Sequence, residues 1–140
     1  MSPIKVDAME LNMTQEIPKT EWKRFFDILS RERLGWETSV QILNADAGAQ
    51  ILSEGLAFSG LTLEGKGGHE TIELAIGSDA GNHQTHNIFE PLRVAFQRDG
   101  DSMAGTLDIE DAAGTKTLIN FVQPMPVMME YVRTGIIAAG

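Results

Sequence analysis

The 140-residue chain contains no cysteine. Disulfides, thiolate metal ligands and thiol nucleophiles are therefore excluded. It is also short of positive charge: 11 lysines and arginines stand against 20 aspartates and glutamates, for a net charge of −9. Nucleic-acid affinity rests on neutralising phosphates, so no nucleic-acid partner is expected unless the bases cluster. They gather only at Lys19, Lys23, Arg24, Arg31 and Arg33, with Glu21, Asp27 and Glu32 interleaved. That mixture reads as a solvated helix face. No apolar run approaches the roughly 20 residues of a membrane span, so no membrane partner is expected. Met1 to Asn12 has no apolar core ending in a small-residue cleavage site, the mark of a signal peptide, and the expected setting is the cytoplasm.

What remains is an ordinary globular composition. With 42% apolar and 22% charged residues, the chain can bury a core and is not of the disordered class. Its length fits one domain. Three parts are expected: a flexible N-terminus over residues 1–13, a single α+β domain over 14–123, and an apolar, Met-rich tail over 124–140. In the tail, Val127 to Val132 is expected to pack over the barrel mouth or against another subunit or protein partner, since methionine fills irregular gaps, and the last six residues to fray.

The first element is a helix from Pro18 to Leu34. Trp22, Phe25, Phe26 and Leu29 recur at spacings of three and four and share one face. Pro18 suits a first turn and Gly35 suits a left-handed cap. From Trp36 the period drops to two, with Trp36, Thr38, Val40 and Ile42 on one side of a strand. Asn44 to Gly48 is a turn. In the next stretch, Ala49 to Glu64, Leu56 and Phe58 have one parity and Leu61 and Leu63 the other. A phase slip near Ser59-Gly60 predicts a bulge or bend. After the Gly65–Gly68 turn comes a strand carrying Ile72, Leu74 and Ile76, then a polar loop from Ser78 to Asn87. Ile88 to Gln97 reads as one strand, started late or held at an edge by Pro91. Asp99-Gly100 is a hairpin turn. Two further strands carry Leu107 with Ile109 and Ile119 with Phe121, joined by a turn at Asp111–Gly114. The expected fold is an N-terminal amphipathic helix on an antiparallel β-barrel or roll of about six strands, in the manner of an SH3- or Sm-like small barrel.

Two groups of residues carry a resemblance. Ile17-Pro18, Glu21-Trp22, Phe25-Phe26-Asp27 and Gly35-Trp36 form one. Thr85-His86-Asn87-Ile88 with Pro91 and Val94 form the other. Together they resemble a family of bacterial domains of unknown function spanning about Thr14 to Phe121. The resemblance implies one domain in a bacterial cytoplasm, and it brings no activity, cofactor or catalytic residue with it.

Chemistry-bearing candidates are few. His83 and His86, three apart, with Asp79 nearby, could present imidazole and carboxylate ligands if the segment were a helical turn. The stretch lacks the glutamate of a zincin helix, so no metal site is assigned and these three residues are the candidates. Ser78, Asp79 and His83 lack a nucleophile elbow and read as turn chemistry. Asp108 and Glu110 share an outward strand face and read as solvated. Gly65 to Gly68 opens into a strand, unlike a phosphate loop. No catalytic or cofactor-binding residue is named, and no cofactor is expected. The functional expectation is a non-enzymatic interaction or accessory module presenting a sheet face, an edge strand or its tail. The alternative is a small-molecule or metal-binding barrel using the His83/His86 loop.

Overall fold

A computed structural model describes residues 14–77, 82–99 and 104–124. Strand β1 (Thr14–Ile17) leads through a short 3-10 turn at Lys19–Glu21 into helix α1 (Trp22–Glu32). Seven strands follow: β2 (Trp36–Asn44), β3 (Gly48–Glu64), β4 (Thr71–Ile76), β5 (Gln84–Phe89), β6 (Pro91–Arg98), β7 (Gly105–Asp111) and β8 (Lys116–Pro124).

Helix α1 buries Trp22, Phe26 and Leu29, with Phe25 packed at the margin of the core. It is shorter than Pro18–Leu34. Pro18 has no N–H to give and is extended, at φ −59° and ψ 145°, so the chain tightens through the 3-10 turn before α geometry begins. At the other end Gly35 turns left-handed at φ 84°, leaving Leu34 outside the apolar face and exposed. The buried Trp22 indole donates to the Ile17 carbonyl at 2.9 Å, which fastens the helix to β1.

The eight strands form a single sheet in the order β1-β6-β7-β8-β2-β3-β4-β5, each neighbouring pair antiparallel. The α+β, antiparallel architecture is as expected. The count of about six and the small barrel are not: among the described residues β1 and β5 are the two ends of the sheet and do not pair with each other, so it stays open. Two strands escaped the sequence pattern for physical reasons. β1 is only four residues long and buries Ile17 alone, too little to show a period. The predicted strand Ile88–Gln97 is two strands, because Glu90 adopts φ 52° and turns the chain between β5 and β6. Four residues assigned to the polar loop, Gln84 to Asn87, belong to β5.

Strand β3 holds the two halves of the sheet together. Its Gly48–Ala57 part pairs with β2 and its Phe58–Glu64 part with β4. Three of its residues stand unopposed: Leu52 between the pairs at Ile51 and Ser53, Gly55 between those at Glu54 and Leu56, and Ser59 between those at Phe58 and Gly60. Each extra residue bends the strand and increases its twist. The slip expected near Ser59-Gly60 is one of these bulges. Helix α1 stabilises it: the Leu61 N–H donates to Ser30 Oγ at 2.9 Å, and that hydroxyl donates to the Leu61 carbonyl at 3.3 Å. Gly55, at φ 81°, occupies the left-handed region that such a bulge favours.

The core fills the space between the helix and the inner sheet face. Phe58 and Phe121 meet edge to face at 4.9 Å, and Val40, Ile72, Leu74, Ile76, Val94, Leu107, Ile109 and Ile119 are all fully buried around them. Burying a side chain of this kind contributes roughly 1.5–3 kcal/mol. One charge lies among them. Arg33, 6% exposed, places its guanidinium carbon 5.2 Å from the Phe96 ring centre and 5.7 Å from those of Trp36 and Phe121.

Candidate functional site

Of the polar candidate residues singled out in the sequence, strand β5 holds His86 alone. His86 lies within β5, facing Leu74 of β4. It is half-buried, and burial pulls its imidazole below the ordinary value of 6.5. His83 is exposed and precedes the strand. Because Gln84–Phe89 is extended, the HxxH spacing does not form a helical turn. Asp79 and Ser78 lie outside the described residues. Among the described residues no three His, Asp or Glu side chains come together as a metal-ligand group. The Met-rich stretch after Pro124 also lies outside them.

The geometry of β5 follows from its alternation. Ile88 is buried against the core, while Thr85, Asn87 and Phe89 point out to solvent. Its six residues pair with β4 without a register shift. No strand among the described residues pairs with its other edge. Its backbone groups on that side therefore form a regular row for hydrogen bonding. The sequence of the strand, Gln84-Thr85-His86-Asn87-Ile88-Phe89, contains no lysine, proline or formally charged residue. Those are the devices by which sheet edges are usually protected.

The corner beyond β5 is tied to two other parts of the chain. Glu90, a non-glycine residue at φ 52°, occupies a conformation that costs roughly 1–3 kcal/mol. It is held from two sides: its N–H donates to the Glu70 carbonyl at 3.1 Å, and its carbonyl accepts from Ala112 N–H at 3.0 Å. Leu92 stands unopposed between the β6–β7 pairs at Pro91 and Arg93. Phe89 and Leu92 consequently project on either side of the corner, 65% and 66% exposed.

Register places three cross-strand rows on the outer face of this half of the sheet: Gly60–Ala75–Thr85, Thr62–Glu73–Asn87 and Glu64–Thr71–Phe89. The charges on that face are Glu64 and Glu73, and Glu90 follows at the corner. No base stands in these rows.

The remaining free edges differ. β1 is four residues long and runs straight into Pro18. The Gly48–Leu56 edge of β3 is longer, and the bulges at Leu52 and Gly55 interrupt it. Both carry protection that β5 lacks.

On the outer face of the other half, a recess of about 280 Å³ lies beside Asp108, Lys116, Thr106 and Gln97. Asp108 is half-buried rather than freely solvated. Its Oδ2 is 3.9 Å from Lys116 Nζ, and its shielded Oδ1 has no hydrogen bond among the described residues. A second recess of about 210 Å³ lies between β1 and the helix, lined by Ile17, Pro18, Glu21, Arg24, Phe25 and Ile28.

Sequence reasoning missed Glu90, Phe89 and Leu92 as a unit. The signal was present: an apolar pair flanking Glu90-Pro91, where proline both restricts the preceding residue and ends a ladder.

Comparisons with known proteins agree with the resemblance seen in the sequence. Residues 13–129 match the family described as "Family of unknown function (DUF5335)". The chain belongs to that family. A protein of the bacterium Aquifex aeolicus (strain VF5), named "Uncharacterized protein", is 24% identical over 114 residues, covering 81% of this chain and 96% of that one. No solved structure matches.

Proposed function

We propose that this member of the DUF5335 family is a non-enzymatic interaction module, and that it takes an extended segment of a partner protein onto the free edge of β5. The observation that carries this reading is the regular, uncharged, unprotected edge of Gln84–Phe89, which ends at the exposed Phe89. Strand addition needs a row of unpaired backbone donors and acceptors for affinity, and neighbouring side-chain positions for selectivity. β5 supplies both. The buried Ile88 anchors the strand to the core, so the edge is presented without itself having to order on binding.

The test is selection of peptides from a displayed random library against the immobilised protein, followed by hydrogen exchange on the complexes. Peptides that bind in this way slow exchange of the backbone amides between Gln84 and Phe89. Asn87→Pro, which deforms the edge, weakens them at least tenfold, as does the milder Phe89→Ala. Selected peptides that leave these amides unprotected, or that bind both variants unchanged, would refute the reading.

A further inference from the structure

Resting on the strand-addition reading, we infer that the segment received by β5 is basic, with lysine or arginine at alternate positions facing the outer side of the sheet. The argument begins with charge. Glu73 lies directly across from Asn87, one strand inward, and Glu64 shares a row with Phe89 through Thr71. Glu90 closes the same margin at the corner. A strand added to β5 would lie about 9.5 Å from β4, two inter-strand spacings. A long basic side chain spans much of that distance by lying across Asn87 toward Glu73. Glu64, exposed on β3, supplies a longer-range field in the same direction.

Phe89 is the second, independent observation. Phe89 is exposed, and an exposed ring is a surface on which a cation can stack, with an attraction of about 0.5–1 kcal/mol. Arg33 on Phe96, Trp36 and Phe121 shows the same preference in the interior. The alternate positions of such a segment would point inward beside Ile88 and His86. Burial of His86 holds it toward its neutral form, and the desolvated groups around it are the apolar side chains of β4 and the core. Apolar residues fit there. The pattern that fits the site is therefore basic and apolar in alternation, the period of a strand with two unlike faces.

A second copy of this chain fits less well. Antiparallel pairing of β5 with itself would leave the two Glu73-bearing strands about 14 Å apart, three inter-strand spacings, and would bring no basic side chain to either acidic face, in a molecule that already carries −9.

The experiment uses the full chain and three synthetic nine-residue peptides in which valine alternates with lysine, glutamine or glutamate. Fluorescence polarisation at low salt reads their affinities. The lysine peptide is expected to bind at least tenfold tighter than the glutamine peptide, with the gap closing as salt is raised. The glutamate peptide is expected to bind weakest. Glu73→Gln with Glu64→Gln should abolish the preference for lysine and leave the glutamine peptide unaffected. Equal binding of the lysine and glutamine peptides would overturn the basic segment and leave strand addition standing. Failure of every peptide to protect the β5 amides would overturn both. A dimer in sedimentation that Asn87→Pro dissociates would make the second copy the occupant and overturn the proposal.

Discussion

The two halves of the sheet share one core and differ sharply on their outer faces. On the half formed by β1, β6, β7, β8 and β2, polar residues answer one another across strands. Arg93 Nε meets Glu16 at 3.2 Å, Thr106 donates to Asn120 at 3.1 Å, and Lys116 approaches Asp108. On the half formed by the end of β3 with β4 and β5, Glu64 and Glu73 face out with no base in their rows. The first surface satisfies much of its own charge. The second, among the described residues, has acidic charge and a backbone edge that no other strand meets. That contrast is what the proposed binding edge on the smaller half rests on.

The largest effect that would break this comparison concerns the shared core. Phe58 comes from β3 and Phe121 from β8, so their contact crosses between the halves. Replacing either with alanine should cost about 3–5 kcal/mol in denaturant unfolding. The double variant should cost measurably less than the two added together. Strict additivity would mean that the halves do not pack as one body.

Arg33 comes next. Burial pulls its guanidinium below its ordinary value, with Glu32 opposing that shift and Arg98 adding to it. Arg33→Ala removes three ring contacts as well as the packing of the stem, for an expected loss of about 2 kcal/mol. Arg33→Lys should not restore it fully, because an ammonium lacks the flat face that stacks. Full rescue by lysine would reduce the residue's role to charge alone.

Ser30→Ala leaves the Leu61 N–H at the bulge without the hydroxyl that now accepts it. A loss of about 1–3 kcal/mol is expected, with faster exchange at Leu61 as its local signature. Stability unchanged by this variant would separate the helix from the bend that divides the halves.

His86 supplies a pH test within the smaller half. Its folded value is lowered by burial, so the unfolded chain takes up a proton first as pH falls. Stability should therefore be complete above about 6.5 and decline progressively below it. In His86→Gln this decline should be smaller than in the parent. Identical pH profiles of melting temperature would show that the burial does not bear on protonation.

Smallest are the outer-face substitutions. Arg93→Ala should cost no more than about 1 kcal/mol, since its pair with Glu16 is exposed. Glu73→Gln should change stability by less than about 0.5 kcal/mol while altering peptide affinity. Equal consequences for stability and for binding on both faces would erase the distinction between them.

Much of the fold is legible in local pattern. Trp22, Phe26 and Leu29 at helical spacing, and the alternation through Ile72, Leu74 and Ile76, are consequences of period and need no knowledge of neighbours. The turns at Asn44 and Asp111 are equally local. Asn44 Oδ1 accepts the Asp46 and Ala47 N–H groups, and Asp111 Oδ1 accepts those of Ala113 and Thr115. The candidate site is much less legible. Thr85 and Asn87 look like loop residues because only one side of β5 meets the core, and only pairing with β4 makes them a strand.

By itself the sequence determined the classes of residue and their periods: an acidic, cysteine-free chain, one amphipathic helix, antiparallel strands and a bend near Ser59. It carries that information because backbone geometry maps spacing directly onto faces. Tertiary structure alone decided that the described residues form a sheet of eight strands that stays open, that Arg33 is buried among rings, and that Glu90 turns a sharp corner between two exposed apolar side chains. Those outcomes depend on hydrogen bonds and contacts between residues distant in the chain, such as Glu90 with Glu70 and Ala112. No local period encodes partners at that separation.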